Sequence, residues 1–174
     1  MGNLDRASMK NNETVYLALG TNLGKRSTNL VQACKRLKEF VTVMRSSHIY
    51  ETPPWGVIDQ PDFLNQVLEV TTALPPHELL TAVKKIEMEM GRVPAERYGP
   101  RLIDIDILVY GCHEVSSNEL TIPHPRMAER GFLLVPLAEL APDLVPPGES
   151  GLSVQEMLKK VDTKGIQVYS ERHG

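Results

Sequence analysis

Arg97-Tyr98-Gly99-Pro100-Arg101-Leu102-Ile103-Asp104-Ile105-Asp106-Ile107 is the stretch on which the fold turns. After a Gly-Pro turn the chain from Leu102 to Tyr110 is apolar and rich in β-branched residues, which predicts a buried strand. Side chains alternate faces along a strand, so Asp104 and Asp106 share one face and Ile103, Ile105 and Ile107 the other. Two carboxylates side by side on a half-buried sheet repel one another and lose hydration, so something must compensate. A hard divalent cation does this well: Mg²⁺ takes one or two carboxylates and completes its shell with waters and substrate phosphates. Arg97 and Arg101 could face the same anionic ligand. A solvated strand face, or structural ion pairs with nearby arginines, is the competing explanation of the acidic pair.

The upstream segments decide what this strand completes. Thr14–Leu19 is a short apolar, β-branched run ending at Gly20, hence a strand. Over residues 28–40, Leu30, Cys34, Leu37 and the following Val41 recur at helical spacing. Thr42–Glu51 and Phe63–Ala73 predict two further strands, joined by the Pro-rich, unusually apolar loop 52–62. Pro75-Pro76 opens a second helix running to about Met90, with Leu79, Leu80, Val83, Ile86 and Met90 on one face. With loop 91–101 and the Leu102–Tyr110 strand after it, the order is β-α-β-β-α-β. That is the split βαβ of a ferredoxin-like α+β fold, an antiparallel sheet with helices packed on one face. C-terminal additions follow: a short strand near Leu120–Ile122, a helical turn around Arg126–Arg130, an irregular Pro-rich piece, a helix at Ser153–Val161 and a strand at Ile166–Ser170.

A chain of 174 residues, 41% hydrophobic and 24% charged, is expected to form one soluble domain with a sizeable core. Residues 1–12 are polar and read as a disordered extension, leaving 13–174 as the domain. The net charge of −3 argues against a protein that grips nucleic acid through a general basic surface. Arg92, Arg97, Arg101, Arg126 and Arg130 nevertheless lie near other candidate residues, and a local positive cavity suits a small anionic ligand. Cys34 and Cys112 form no framework and no CxxC, so they read as reduced thiols of a cytoplasmic protein. No apolar run reaches signal-peptide or transmembrane length, and no membrane partner is expected.

Three other constellations could carry chemistry. Gly20-Thr21-Asn22-Leu23-Gly24-Lys25-Arg26-Ser27 sits between a strand and a helix like a P-loop, but has one residue too few between its glycines and Arg26 where Ser or Thr should follow Lys. A tight turn capping the helix is the better account. Phe63 and Asn65 share a strand face, where an aromatic beside an amide can stack on a flat heterocycle and read its edge; a core Phe next to an edge Asn is the equal alternative. Pro123-His124-Pro125-Arg126 and Glu129-Arg130-Gly131-Phe132 hold a histidine in a stiff loop, without the spacing of a zinc site.

Taken together, the motifs resemble 6-hydroxymethyl-7,8-dihydropterin pyrophosphokinase of folate biosynthesis. The matching strings are Tyr16-Leu17-Ala18-Leu19-Gly20-Thr21-Asn22-Leu23-Gly24, Tyr50-Glu51-Thr52-Pro53-Pro54, Asp59-Gln60-Pro61-Asp62-Phe63-Leu64-Asn65, Glu87, Gly91-Arg92, the Arg97-to-Asp106 motif, Pro123-His124-Pro125-Arg126-Met127 and Glu129-Arg130-Gly131-Phe132. They run from about residue 14 to 145 in the family's order. The resemblance implies a ferredoxin-like enzyme, an ATP-dependent diphosphotransferase that moves pyrophosphate from ATP to the pterin hydroxymethyl group and releases AMP. It implies that Asp104 and Asp106 hold two Mg²⁺ ions and, with Arg92 and Arg101, form the catalytic set. Phe63 and Phe132 would sandwich the pterin, with Thr52, Pro53, Trp55 and Asn65 reading its edge. Glu87, Arg92, Tyr98, Arg101, His124 and Arg130 would surround ATP.

Departures from the family pattern are local. Val93-Pro94-Ala95 stands where a second basic residue is frequent, Tyr98 replaces a frequent Trp, Pro125 a frequent Tyr, and Trp55 a smaller apolar residue. The tail from about Gly148 matches nothing in the family. Two other readings stand beside this one: a ferredoxin-like RNA-binding module, which would want exposed aromatics and a basic face, and a pterin and nucleotide binder without turnover. ATP and the dihydropterin are the expected partners. The sequence does not speak to oligomeric state or to association with other folate-pathway enzymes.

Overall fold

The computed structural model describes residues 12–91, 101–148 and 150–171. The chain is a mixed α+β fold with an antiparallel sheet, helices packed on it and C-terminal additions. Its elements run β1 (Glu13–Thr21), α1 (Arg26–Leu37), β2 (Thr42–Ser46), β3 (Tyr50–Thr52), β4 (Phe63–Thr72), α2 (Pro76–Glu89) and β5 (Asp104–Tyr110). A small hairpin β6 (Val115–Ser116) and β7 (Thr121–Ile122) follows, then a 3₁₀ turn at Met127–Glu129, α3 (Gly131–Leu140), α4 (Val154–Leu158) and β8 (Gln167–Val168).

β1 lies between β5 and β4, antiparallel to both, and β4 continues the sheet to β3 and β8, with β2 pairing β4 beside β3. From Val15 to Thr21 every residue of β1 is buried. A strand reads as an unbroken apolar run when both faces are covered. Here Val15, Leu17 and Leu19 pack with Leu30, Leu37, Leu79, Val83 and Ile86 of α1 and α2. Tyr16 and Ala18 point the other way, to Leu133, Leu134 and Leu137 of α3 and Val154 and Met157 of α4. The expectation of helices on one face is therefore corrected: α3 and α4 cover the second face. This also removes the open sheet face on which an RNA-binding module would stack bases.

The missed helix is α3, and the short strand β6 was missed with it. Pro136 stands inside α3, and an interior proline reads in sequence as a break because it removes one ladder donor and crowds the preceding turn. Burial of Leu133, Leu134, Leu137 and Leu140, roughly 1.5–3 kcal/mol for each leucine, outweighs that cost. Thr42–Glu51, predicted as one strand, is two. Ser47 divides them: its N–H donates to the Val67 carbonyl at 2.9 Å while its Oγ accepts from the Val67 N–H at 2.9 Å, so a side chain takes over from a backbone carbonyl. The predicted C-terminal helix is α4, opened by a capping box between Ser153 and Glu156. No helix among the described residues is long and apolar enough to cross a membrane.

Glu139, near the end of α3, ties that helix to the loop between β2 and β3. Its carboxylate accepts from Tyr50 Oη at 2.6 Å, from the His48 N–H at 3.0 Å, and lies 3.0 Å from His48 Nδ1. Partial burial alone would raise its pKa, but the Tyr50 and His48 hydrogen bonds together hold it below the usual carboxylate range. Burial, together with the hydrogen bond to Glu139, pushes the Tyr50 phenol up to about 12. A depressed carboxyl stabilises the fold above its unfolded pKa, and that contribution disappears as pH falls through its folded pKa. Glu139→Gln should therefore lower the melting temperature at pH 7 by a few degrees, for a loss of about 1–2 kcal/mol. The gap between wild type and variant should close as the pH is taken down from about 5, read by thermal melts across that range.

Candidate active site

The site is built on the open end of the face covered by α3. In register, Asp104 of β5 lies opposite Gly20 of β1, Gly20 opposite Asn65 of β4, and Asn65 opposite Tyr50 of β3. One step inward, Asp106 lies opposite Ala18 and Ala18 opposite Val67. β1 thus places only a hydrogen and a methyl between the acids and the amide. A Cβ on Gly20 would come within 2.8 Å of Asn65 Oδ1, so glycine is required beneath that side chain. The result is a cavity of about 260 Å³ with a polar floor.

Its two ends differ in chemistry. At one end, buried Asn65 donates from Nδ2 to Thr52 Oγ1 at 2.6 Å. The Thr52 hydroxyl proton and Asn65 Oδ1 remain to meet a ligand that carries both an acceptor and a donor on its edge. Phe63, Trp55 and Phe132 flank this polar pair. The Trp55 and Phe132 rings are tilted at 57° with centroids 6.2 Å apart, and the Arg130 guanidinium lies 5.9 Å from the first and 5.8 Å from the second. A cation over two aromatic faces is held by their quadrupoles and keeps its donors in the cavity.

At the other end stand Asp104, Asp106, Arg101 and His124. Both acids are half-buried while Ile103, Ile105 and Ile107 are buried, so the alternation read from the sequence holds. Arg101 Nε is 3.9 Å from Asp104 Oδ1, a loose ion pair that water still reaches. The His124 N–H donates to the Leu108 carbonyl at 2.9 Å, pinning its loop to β5, and its Nδ1 accepts from the Arg126 N–H at 3.2 Å. Burial, then the nearby Arg130 and Arg126 charges, pushes the His124 pKa down to about 4. At neutral pH the ring is uncharged with its proton on Nε2, a donor rather than a cation.

Asn22, 2% exposed, joins the two ends from below. It exchanges two hydrogen bonds with Arg101, from its N–H to the Arg101 carbonyl at 3.0 Å and from the Arg101 N–H to its Oδ1 at 2.7 Å. Its Nδ2 also donates to Gln60 Oε1 and the Pro61 carbonyl, both at 2.9 Å. The Gly20–Ser27 segment, P-loop-like in sequence, is thus a turn that fastens loop 53–62 to the start of β5.

The structure gathers Thr52, Pro53, Trp55, Phe63, Asn65, Arg101, Asp104, Asp106, His124, Arg130 and Phe132 around this one cavity. Glu87 is elsewhere: it is 1% exposed on α2, with Lys84 Nζ 3.4 Å from its Oε1, and is not on the cavity wall. Arg126 is exposed beside the site and acts on it through the His124 ring. Arg92, Arg97 and Tyr98 lie outside the described residues. Sequence reasoning missed Ala18, Gly20, Asn22 and Leu133. The first two carried a signal, small residues two apart on a strand facing two acids, whereas the Asn22 bridge depends on contacts some 40 and 80 positions away.

The family model for 7,8-dihydro-6-hydroxymethylpterin-pyrophosphokinase matches residues 16–142. The chain belongs to this pyrophosphokinase family. It is 46% identical over 154 residues to 2-amino-4-hydroxy-6-hydroxymethyldihydropteridine pyrophosphokinase of Methylorubrum extorquens, covering 87% of this chain and 96% of that relative. The corresponding Bacillus subtilis protein is 41% identical over 165 residues, covering 94% of each chain. A crystal structure of Plasmodium falciparum HPPK-DHPS with pteroate superposes with a TM-score of 0.69 at 17% identity, over 86% of this chain and 42% of that one. The chain thus spans less than half of that longer protein, and the likeness is one of fold.

For this pyrophosphokinase-family chain, the His124 environment gives a direct check. Because its charged form is disfavoured in the fold, the ring should titrate by NMR with a midpoint near 4, and stability should fall as pH is lowered from 6.5 toward 4. A midpoint near 6.5 would show that the ring is solvated and not wedged between the two arginines.

Proposed function

We propose that this chain transfers pyrophosphate from ATP to the hydroxymethyl oxygen of 6-hydroxymethyl-7,8-dihydropterin, releasing AMP. The observation that carries this reading is a single cavity with an amide-and-aromatic slot, crossed by Arg130, at one end and two acids with Arg101 and His124 at the other. The core that holds it has the strand order of a ferredoxin-like βαββαβ unit, with β2 and β3 as one divided strand, and residues 13–174 form one pyrophosphokinase domain. Unpaired Cys34 and Cys112 are in keeping with work in the cytoplasm.

Phe63 and Phe132 hold the pterin by its faces, with Trp55 closing the edge. Thr52 and Asn65 read its polar rim, and the backbone near Pro53 supplies further partners. The hydroxymethyl oxygen attacks the β-phosphorus of ATP, the bond from that phosphorus to the oxygen bridging to the α-phosphorus breaks, AMP leaves, and the alcohol proton passes to solvent. Such a reaction depends on alignment and on stabilising charge at the leaving oxygen. Arg101 and Arg130 provide fixed positive charge, and neutral His124 donates its Nε2–H to a phosphate oxygen. Arg92 and Tyr98 take the nucleotide roles implied by the family. Glu87, off the cavity wall, acts on the nucleotide only through its neighbours.

Asp104 and Asp106 fit Mg²⁺: they offer hard oxygen donors from one strand face into the cavity. Among the described residues no group of three or more His, Cys, Asp or Glu could hold a metal ion. A cation held by this pair can complete its shell from water and phosphate, as Mg²⁺ prefers. Two such ions, when bound, supply neutralisation and orientation of the ATP phosphates.

The test is incubation with ATP, Mg²⁺ and the hydroxymethyl-dihydropterin, followed by nucleotide analysis. Pterin-dependent AMP is expected; ADP, or no pterin-dependent product, would overturn the assignment. Asp104→Ala and Asp106→Ala should each lower turnover at least about 100-fold while the melting curve stays cooperative. Phe63→Ala should raise the KM for pterin by about tenfold with little change in the KM for ATP.

A further inference from the structure

The family model ends at residue 142, but the described chain continues to Glu171 and returns to the cavity from outside. After α4 packs on α3, a turn at residues 162–165 leads into β8, which pairs with β3 through Val168 opposite Tyr50 and Gln167 opposite Glu51. The Tyr169 N–H donates to the Ile49 carbonyl at 2.7 Å, the Arg26 guanidinium lies 5.6 Å from the Tyr169 ring, and Ser27 Oγ donates to Glu171 at 2.7 Å. The turn itself touches both sides of the aromatic slot. A Cβ on Gly131, the first residue of α3 and neighbour of Phe132, would meet the Asp162 carbonyl at 2.7 Å. A Cβ on Gly165 would meet Pro53 Cγ at 2.8 Å, beside Thr52.

We propose that residues 162–171 form a positioning strap that sets the separation of the two walls of the pterin slot without touching substrate. β3 is three residues long and carries a long loop with exposed apolar residues, so alone it would fray like any short edge strand. β8 gives it a second neighbour, and the turn wedges its end against the start of α3. Wall position matters for binding, because a flat ring held between two aromatic faces loses contact as their separation departs from the stacking distance. The strap's role in substrate binding rests on the pterin reading of the slot, whereas its mechanical role does not.

The test uses the full chain with Gly165→Ala, which drives a methyl toward Pro53. Tyr169→Pro is the second variant, since it removes the N–H bonded to Ile49 and is not among the residues lining the cavity. Gly151→Ala is the control: Gly151 also has a positive φ of 63°, yet nothing lies within 4 Å of its would-be Cβ. Gly165→Ala and Tyr169→Pro should each raise the KM for the hydroxymethyl-dihydropterin by about tenfold, with kcat and the KM for ATP within about twofold. Both should also shift the ligand-free emission of Trp55, the sole tryptophan. Gly151→Ala should change neither. Wild-type KM and Trp55 emission in a folded Gly165→Ala protein would overturn the proposal, as would the same changes in Gly151→Ala. If Gly165→Ala fails to fold, Tyr169→Pro decides by the same readouts. If the wild type makes no AMP, the functional reading falls, and Trp55 emission alone still decides the strap.

Discussion

Everything in the site depends on what β1 withholds. This interior strand of the sheet is buried on both faces, yet opposite Asp104 and Asp106 it presents Gly20 and Ala18. Larger side chains there would fill the floor, push Asn65 off Thr52 and bring apolar bulk against the acids. The empty strip lets β5 carry charge and β4 carry an amide within one cavity, while the opposite face of the same strand anchors the larger core through Val15, Leu17 and Leu19. Stability and function are divided by the strand's two-residue period.

The charge arrangement follows from that division. Two carboxylates in a shallow cavity are tolerable when water and cations can reach them, and both remain half-buried. The balancing positive charge comes from different elements: Arg101 at the entry to β5, and Arg130 immediately before α3. His124 does not add to it, since burial and the two arginines keep it neutral. A neutral donor among fixed charges keeps its hydrogen-bonding character across the neutral pH range without depending on a proton taken from solution.

Much of this was legible in the sequence because it rests on local periodicity. The alternation of Ile103, Asp104, Ile105 and Asp106 dictated which face each would take, and the Phe63/Asn65 spacing placed both in the slot. The alternation of strands and helices from β1 to β5 was readable from hydrophobic period together with the Gly and Pro residues that end or open the elements. What stayed hidden has physical reasons. α3 was masked by Pro136, whose local penalty is overcome by tertiary burial of four leucines. The division of β2 from β3 depends on one serine side chain replacing a backbone acceptor. Asn22 and the residues 162–171 act through contacts that no local pattern encodes.

The second hydrophobic cluster has a consequence in time. Its sheet residues, Tyr16, Ala18, Val67 and Leu108, are synthesised well before Leu133, Leu134 and Leu137 of α3, and Val154 and Met157 come later still. Chains emerge from the ribosome N-terminal end first, so β1 to β5 with both acids are made while one face of their sheet is still bare. The slot acquires its second wall only when Phe132 arrives with α3. The aromatic slot of this chain is therefore completed only by the last part of the polypeptide to be made, and a molecule arrested before Gly131 would carry Phe63, Asn65 and both acids in a slot with one wall missing.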